Sequence, residues 1–340
     1  MGLMKEALFY SKEEGGKVRC QLCRHRCLLE EGKKGICGVR ENRDGRLISL
    51  VYERPCTWHV DPIEKKPLFH FFPRSKAFSI ATVGCNFQCS FCQNHDISQM
   101  PRDEGRIEGF SLSVSEVVDL AERNGCKSIS FTYTEPTIFY EYALEVSKLA
   151  KQRGMYNNFV TNGYIEAKPL EHIRPYLDAA NIDLKSFREE FYRRLCKASL
   201  KEVLESIKVY KALGIWIEIT TLIIPGLNDG EEEIRGIARF IREELGKETP
   251  WHVTAFFPRY RLLDRERTKE ETLKIARAIG LEEGLRYVYE GNVLGSEGEY
   301  TFCFNCKRPV IKRYGFLVTE YNRKRGSCAF CGAKIDGVGL

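Results

Sequence analysis

A chain of 340 residues has room for one large domain or two to three smaller ones, and a hydrophobic content of 43% supports a sizeable core. No run approaches the roughly 18 apolar residues of a membrane span, and the start lacks the apolar stretch and small-residue cleavage site of a secretion signal. The net charge of +6 is uneven: residues 1–77 and 303–340 each carry +6 and residues 78–302 carry −6, which reads first as solvated surface and second as basic ends able to dock on an acidic partner or nucleic acid.

Fourteen cysteines would suggest disulfides in a secreted chain. Here they cluster at metal-ligand spacings, which points to a reducing cytoplasm. The first cluster is Cys20, Cys23, Cys27 and Cys37, a C-x2-C-x3-C-x9-C pattern with Gly32 and Gly35 between the later members. The surrounding sequence is too polar to bury four thiols by packing alone. Zinc and an auxiliary iron–sulfur cluster both fit, and the reading favours a structural metal. Next comes Asp61-Pro62-Ile63-Glu64-Lys65-Lys66-Pro67-Leu68-Phe69-His70-Phe71-Phe72-Pro73. Its prolines predict irregular backbone. It reads as a linker that packs aromatics on the next domain; the alternative puts Asp61, Glu64 or Lys65 at the mouth of a site.

The apolar run 78–83 then leads through Gly84 into Cys85-Asn86-Phe87-Gln88-Cys89-Ser90-Phe91-Cys92. A cubane cluster takes four cysteine ligands, one per iron. Three local cysteines leave one iron open for a ligand that is not protein. A zinc knuckle would show paired C-x2-C units and a fourth ligand nearby.

Beyond this loop a rhythm begins. Helices are expected at 113–124, opened by the capping box Ser113-Val114-Ser115-Glu116, and at 137–152, 166–176, 199–213, 230–245 and 269–280. Strands are expected at 128–133, 155–161, 179–184, 215–224, 252–257 and 286–290. Such alternation predicts an α/β fold with a parallel sheet. Six β-α units fall short of eight, so a partial, open (β/α)6 TIM-like barrel is expected, with ligands at the carboxyl ends of its strands. Those ends carry Thr134-Glu135-Pro136, Thr161-Asn162-Gly163, Asp183 with Lys185, Pro225-Gly226-Leu227-Asn228-Asp229, and His252 followed by Pro258-Arg259-Tyr260. Asp183 and Lys185 share a strand face and form either a site pair or a purely structural one.

The tail holds two C-x2-C knuckles, Cys303 with Cys306 and Cys328 with Cys331. This spacing predicts a zinc-ribbon or rubredoxin-like module, with iron as the alternative metal. Cys56, Cys126 and Cys196 read as single buried thiols. The expected division is a cysteine-rich segment and linker at 1–77, the barrel at 78–298 and the ribbon-like tail at 299–340.

The loop at 85–92 resembles the signature of the radical S-adenosylmethionine (SAM) superfamily. The resemblance implies a [4Fe-4S] cluster on Cys85, Cys89 and Cys92 whose open iron chelates SAM, with Phe91 beside the adenine. The succession of this loop, Thr134-Glu135-Pro136, Asp183-Leu184-Lys185 and Ile224-Pro225-Gly226 is similar to enzymes related to pyruvate formate-lyase activating enzyme. In that family the second motif is Gly-Gly-Glu-Pro; here Tyr133 and Thr134 replace the glycines while Glu135 and Pro136 remain. The resemblance gives Glu135 the SAM amino group, places Thr161, Asn162 and Asp183 among ligands of SAM or of a monovalent cation, and puts His252 near the adenosine. The cysteine groups at both ends, the 61–67 motif and Tyr289-Glu290-Gly291-Asn292 together resemble the radical SAM protein of the AmmeMemoRadiSam system. That likeness implies Memo- and AMMECR1-like partners. The wider family implies reductive SAM cleavage to a 5′-deoxyadenosyl radical, a ferredoxin or flavodoxin as electron donor, and a glycyl-radical protein or a small molecule as substrate. A basic metal-ribbon module that binds RNA or protein, its clusters structural or electron-transferring, is the competing expectation.

Overall fold

The alternation expected from residue 78 onward folds into one eight-stranded sheet. Its strands are β1 (Thr57–Pro62), β2 (Lys76–Ala81), β3 (Ser128–Phe131), β4 (Tyr156–Thr161), β5 (Ala179–Asp183), β6 (Trp216–Ile223), β7 (Trp251–Ala255) and β8 (Val288–Gly291). The computed structural model describes residues 5–340; residues 1–4, on which part of the reading of the chain start rests, lie outside it.

Spatial order follows chain order from β1 to β8, and the sheet is open, with one neighbour at each edge. Strands β2 to β8 pair in parallel. The crossover helices that parallel pairing requires are Val114–Arg123, Tyr140–Gln152, Ala167–Ile173, Leu200–Ala212, Glu231–Phe240 and Glu270–Glu282. The first begins as its sequence predicts: Glu116 N–H donates to Ser113 Oγ at 3.3 Å, and Ser113 N–H donates to Glu116 Oε2 at 2.7 Å. In Leu200–Ala212 the buried Leu200, Val203, Ile207 and Tyr210 recur at helical spacing and form the face turned to the sheet.

The strand missing from the sequence reading is β1, placed there in the linker. It runs antiparallel to β2, Thr57 opposite Ala81 and Pro62 opposite Lys76. As an edge strand it is mostly exposed or half-buried, so it lacks the continuous apolar run that marks the strands inside a parallel sheet.

Residues before β1 form two small three-stranded antiparallel sheets, Tyr10–Lys12 with Val18–Cys20 and Leu28–Leu29, and Lys5–Glu6 with Arg46–Ser49 and Arg40–Arg43. The tail forms a third, Thr301–Phe302 with Pro309–Tyr314 and Leu317–Tyr321. The tail returns to the N-terminal side of the molecule. Arg313, buried, donates to Phe69 O at 3.0 Å, Thr301 Oγ1 at 2.8 Å and Glu299 O at 3.2 Å. Phe72 N–H donates to Val338 O, and Val338 N–H to His70 O, both at 2.8 Å. The aromatics of 69–72 therefore do pack on their neighbours, but on the tail as well as on the sheet.

Candidate active site and metal centres

The strand order brings the carboxyl ends of β2 to β8 to one rim, and a cleft opens there. It holds about 430 Å³, within the roughly 300–1,000 Å³ of ordinary ligand pockets. Cys85, Cys89 and Cys92 line it together with Phe91, Thr134, Glu135, Thr161, Asn162, Asp183 and Lys185. Ten residues chosen from sequence thus meet in one cavity.

The cysteine loop is held by its backbone. Gln88 N–H donates to Cys196 O and Ser90 N–H to Leu195 O, each at 2.9 Å. Its sulfurs meet protein donors: Phe87 N–H lies 3.4 Å from Cys85 Sγ, Asn162 Nδ2 3.8 Å from the same atom, and Ser98 Oγ 3.1 Å from Cys92 Sγ. The buried Cys196 stands beside Cys89, a neighbour invisible in sequence because 107 positions separate the two. Sulfur ligands surrounded by such donors suit a soft iron centre.

Glu135 is 1% exposed. Its Oε1 accepts from Thr137 N–H at 3.0 Å, Thr137 Oγ1 at 2.6 Å and Thr161 Oγ1 at 2.7 Å; Oε2 accepts only Asn162 N–H, at 2.8 Å. Burial raises its carboxyl above the usual range, against the pull of these donors. One oxygen is filled and the other keeps lone pairs for an ammonium. Tyr133, where the related motif has glycine, holds φ 64°. The left-handed backbone is kept without the residue that adopts it freely.

Lys185 Nζ donates to Asp183 Oδ2 at 2.7 Å. The pair exists and faces the cleft, with Lys185 Nζ 5.9 Å from the centre of the Phe91 ring.

His252 does not join them. It is the second residue of β7, so it stands at the strand's start and not at its carboxyl end. Its Nε2 is 2.8 Å from Glu218 Oε2, and its ring stacks on Tyr289 at 5.1 Å. Glu218 also accepts Phe69 N–H at 3.0 Å and His70 N–H at 2.8 Å. An adenosine contact is therefore ruled out by position; the residue belongs to a buried network under the sheet.

The 61–67 motif moves the other way. Lys65 and Lys66 line the cleft, so the stretch packs its aromatics as the linker reading expects and also reaches the site, as its alternative had it for Lys65. Asp61 anchors them: it accepts Lys65 Nζ at 2.8 Å, Lys66 Nζ at 2.7 Å, Ser79 Oγ at 2.8 Å and the Tyr133 hydroxyl. Burial alone would raise the Asp61 carboxyl, but Lys65, Lys66 and Tyr133 outweigh it and hold it below the usual carboxylate range. The charge bracketed by two prolines was the signal in the sequence. Asn292 and Phe316 also reach the cleft and left no such signal.

The tail cysteines form a second centre. Cys303, Cys306, Cys328 and Cys331 place their sulfurs within 4.8 Å of one another, with Cys303 and Cys331 at 3.6 Å and Cys306 and Cys328 at 3.8 Å. The Ala333 N–H, with Asn305, pulls the Cys331 thiol down to about 6, so it is a thiolate at neutral pH. These four are placed to hold a metal ion. The N-terminal cysteines surround a third space, separate from the cleft. No helix among the described residues is long and apolar enough to cross a membrane.

Comparison with known proteins agrees with this geometry. Residues 79–241 match the radical SAM superfamily. An uncharacterized protein of Methanocaldococcus jannaschii is 47% identical over 98% of this chain and 100% of its own length. A second protein of that organism, named a putative glycyl-radical enzyme activating enzyme, is 28% identical over 61% of this chain and 78% of its own length. Among solved structures, a radical SAM methyltransferase from Sphaerobacter thermophilus superposes with a TM-score of 0.52 at 16% identity, over 66% of this chain and 68% of that one, a likeness of fold alone. A cysteine loop on a strand end, matched in sequence across the strands that follow it, leaves one conclusion: the chain belongs to the radical SAM superfamily and is distantly related to the enzymes that activate glycyl-radical proteins.

Proposed function

We propose that this radical SAM enzyme generates a 5′-deoxyadenosyl radical and directs it at a hydrogen atom of a substrate held beside SAM in the same cleft. The observation that carries the reading is the convergence of Cys85, Cys89 and Cys92 with Glu135, Asn162 and Asp183 at one sheet edge. When bound, the [4Fe-4S] cluster supplies the electron that splits SAM. The chain's own residues do the rest. Glu135 Oε2 receives the amino group, Thr134, Thr161 and Asn162 shape the wall beside it, Phe91 offers an apolar face to the adenine, and Asp183 with Lys185 supplies paired charge across the cleft. The sheet reads as the superfamily's partial barrel, and the tail as a zinc ribbon.

Similarity to an activating enzyme supports glycyl-radical formation on a partner protein as the substrate class. A ferredoxin or flavodoxin as reductant, Memo- and AMMECR1-like partners, a monovalent cation near Asp183 and a reducing cytoplasmic setting complete the proposal. The test is direct. Reconstituted, reduced protein given SAM releases 5′-deoxyadenosine, and the Cys85→Ala/Cys89→Ala/Cys92→Ala variant does not. Equal release from both sinks the reading.

A further inference from the structure

The three cysteine groups differ in how closely their sulfurs approach, and that difference separates a single tetrahedral ion from a cluster. Zinc holds four thiolates at about 2.3 Å, which brings their sulfurs to about 3.8 Å of each other. The tail group meets this condition. Among the described residues, neither Cys20, Cys23, Cys27 and Cys37 nor the radical SAM triad gathers its sulfurs within 4.8 Å as the tail group does. A cubane explains the wider spacing, because each thiolate sits on a different iron and the body of the cluster keeps them apart.

The N-terminal four also line one common gap, walled by Leu22, Leu29 and Ile138. Arg40 lines the same space and is 2% exposed. Its terminal nitrogens donate to Glu141 at 2.8 and 2.9 Å, but its Nε–H is buried without a partner. An unanswered buried donor is costly, and an anionic thiolate-bound cluster in that space answers it.

The site abuts the radical SAM loop. Asn86, next to Cys85, lines it and accepts His25 Nε2 at its carbonyl at 2.8 Å. Gly84, on the other side of Cys85, lies against Cys37: a methyl group there would stand 2.8 Å from the Cys37 carbonyl. Both neighbours of one cluster ligand therefore touch the second cysteine group.

We propose that Cys20, Cys23, Cys27 and Cys37 bind a second [4Fe-4S] cluster beside the first, and that zinc is confined to the tail. The experiment counts metals and inorganic sulfide per chain in full-length protein purified anaerobically, with native mass spectrometry and Mössbauer spectroscopy on ⁵⁷Fe-grown material. Wild type is expected to hold about eight iron and about one zinc, and the Cys85→Ala/Cys89→Ala/Cys92→Ala variant about four iron with a cubane spectrum. About four iron and two zinc in wild type, falling to no iron in that variant, overturns the proposal while leaving the radical SAM reading intact. About four iron in both proteins upholds the N-terminal cluster and overturns the radical SAM reading instead. If the triple variant does not fold, the wild-type iron-to-zinc ratio still decides between eight-to-one and four-to-two.

Discussion

Two carboxylates carry opposite duties. Glu135 keeps one oxygen open in a dry pocket, and a charge-assisted hydrogen bond there contributes about 1.5–3 kcal/mol. Glu135→Gln is therefore expected to raise the SAM concentration for half-maximal cleavage by about 10- to 100-fold, measured by 5′-deoxyadenosine release. Asp61 has no open side; it neutralises Lys66, which is 1% exposed. Removing one partner of such a buried pair costs about 3–5 kcal/mol, so Asp61→Ala should lower the urea midpoint at pH 7. Its folded carboxyl is held below its unfolded value. The stabilisation is thus complete above about pH 4 and fades as pH falls below it; the gap between wild type and variant should narrow in acid. At this scale the sequence was legible where chemistry forces a residue type. Three cysteines at fixed spacing and a glutamate before proline can be read from the chain. His252 was misread because its place along β7 depends on register with Glu218, which no local pattern encodes. Cys196 was read as a single buried thiol because the loop it meets is 107 positions away in the chain.

Elements meet at Gly84. Its φ is 100°, and a methyl group on its Cα would stand 2.9 Å from Val39 Cγ1, which leaves no room for a side chain. Gly84→Ala combines backbone strain with overpacking, each about 1–3 kcal/mol. It should lower the melting temperature and loosen the N-terminal sheets from the radical SAM loop, seen as faster amide exchange in residues 35–39 and 84–92. The parallel strands and their helices were legible because period and length repeat six times with capping and turn signals between. The small antiparallel sheets before β1 were not, since strands of two to four residues leave no periodicity to detect. What the sequence did show there was metal spacing, while Val18, Leu22, Val39 and Leu47 join the N-terminal segment to the main core.

The whole molecule is tied by contacts between its ends. Arg313 joins the tail to Phe69, with its guanidinium 4.1 Å from that ring's centre and three backbone or hydroxyl acceptors around it. Arg313→Met strands those acceptors in a buried site. The expected cost is about 3–5 kcal/mol, with limited proteolysis cutting within 300–340 before it reaches the sheet. The division at residues 77 and 298 drawn from sequence rests on changes of composition; β2 straddles the first of them, and β1, before it in the chain, joins the same sheet.

Phe316, on the tail, forms part of the cleft wall, as Lys65 and Lys66 do from the other end of the chain. The order of synthesis then matters. The cysteine loop leaves the ribosome well before residue 316; at about 5–20 residues per second the interval is roughly 10 to 45 s. During that interval the cluster ligands exist in a cleft still missing one side. Iron and sulfide have an open approach while the chain is being made and a narrower one once the tail has docked, so assembly of the centre is easiest before translation ends.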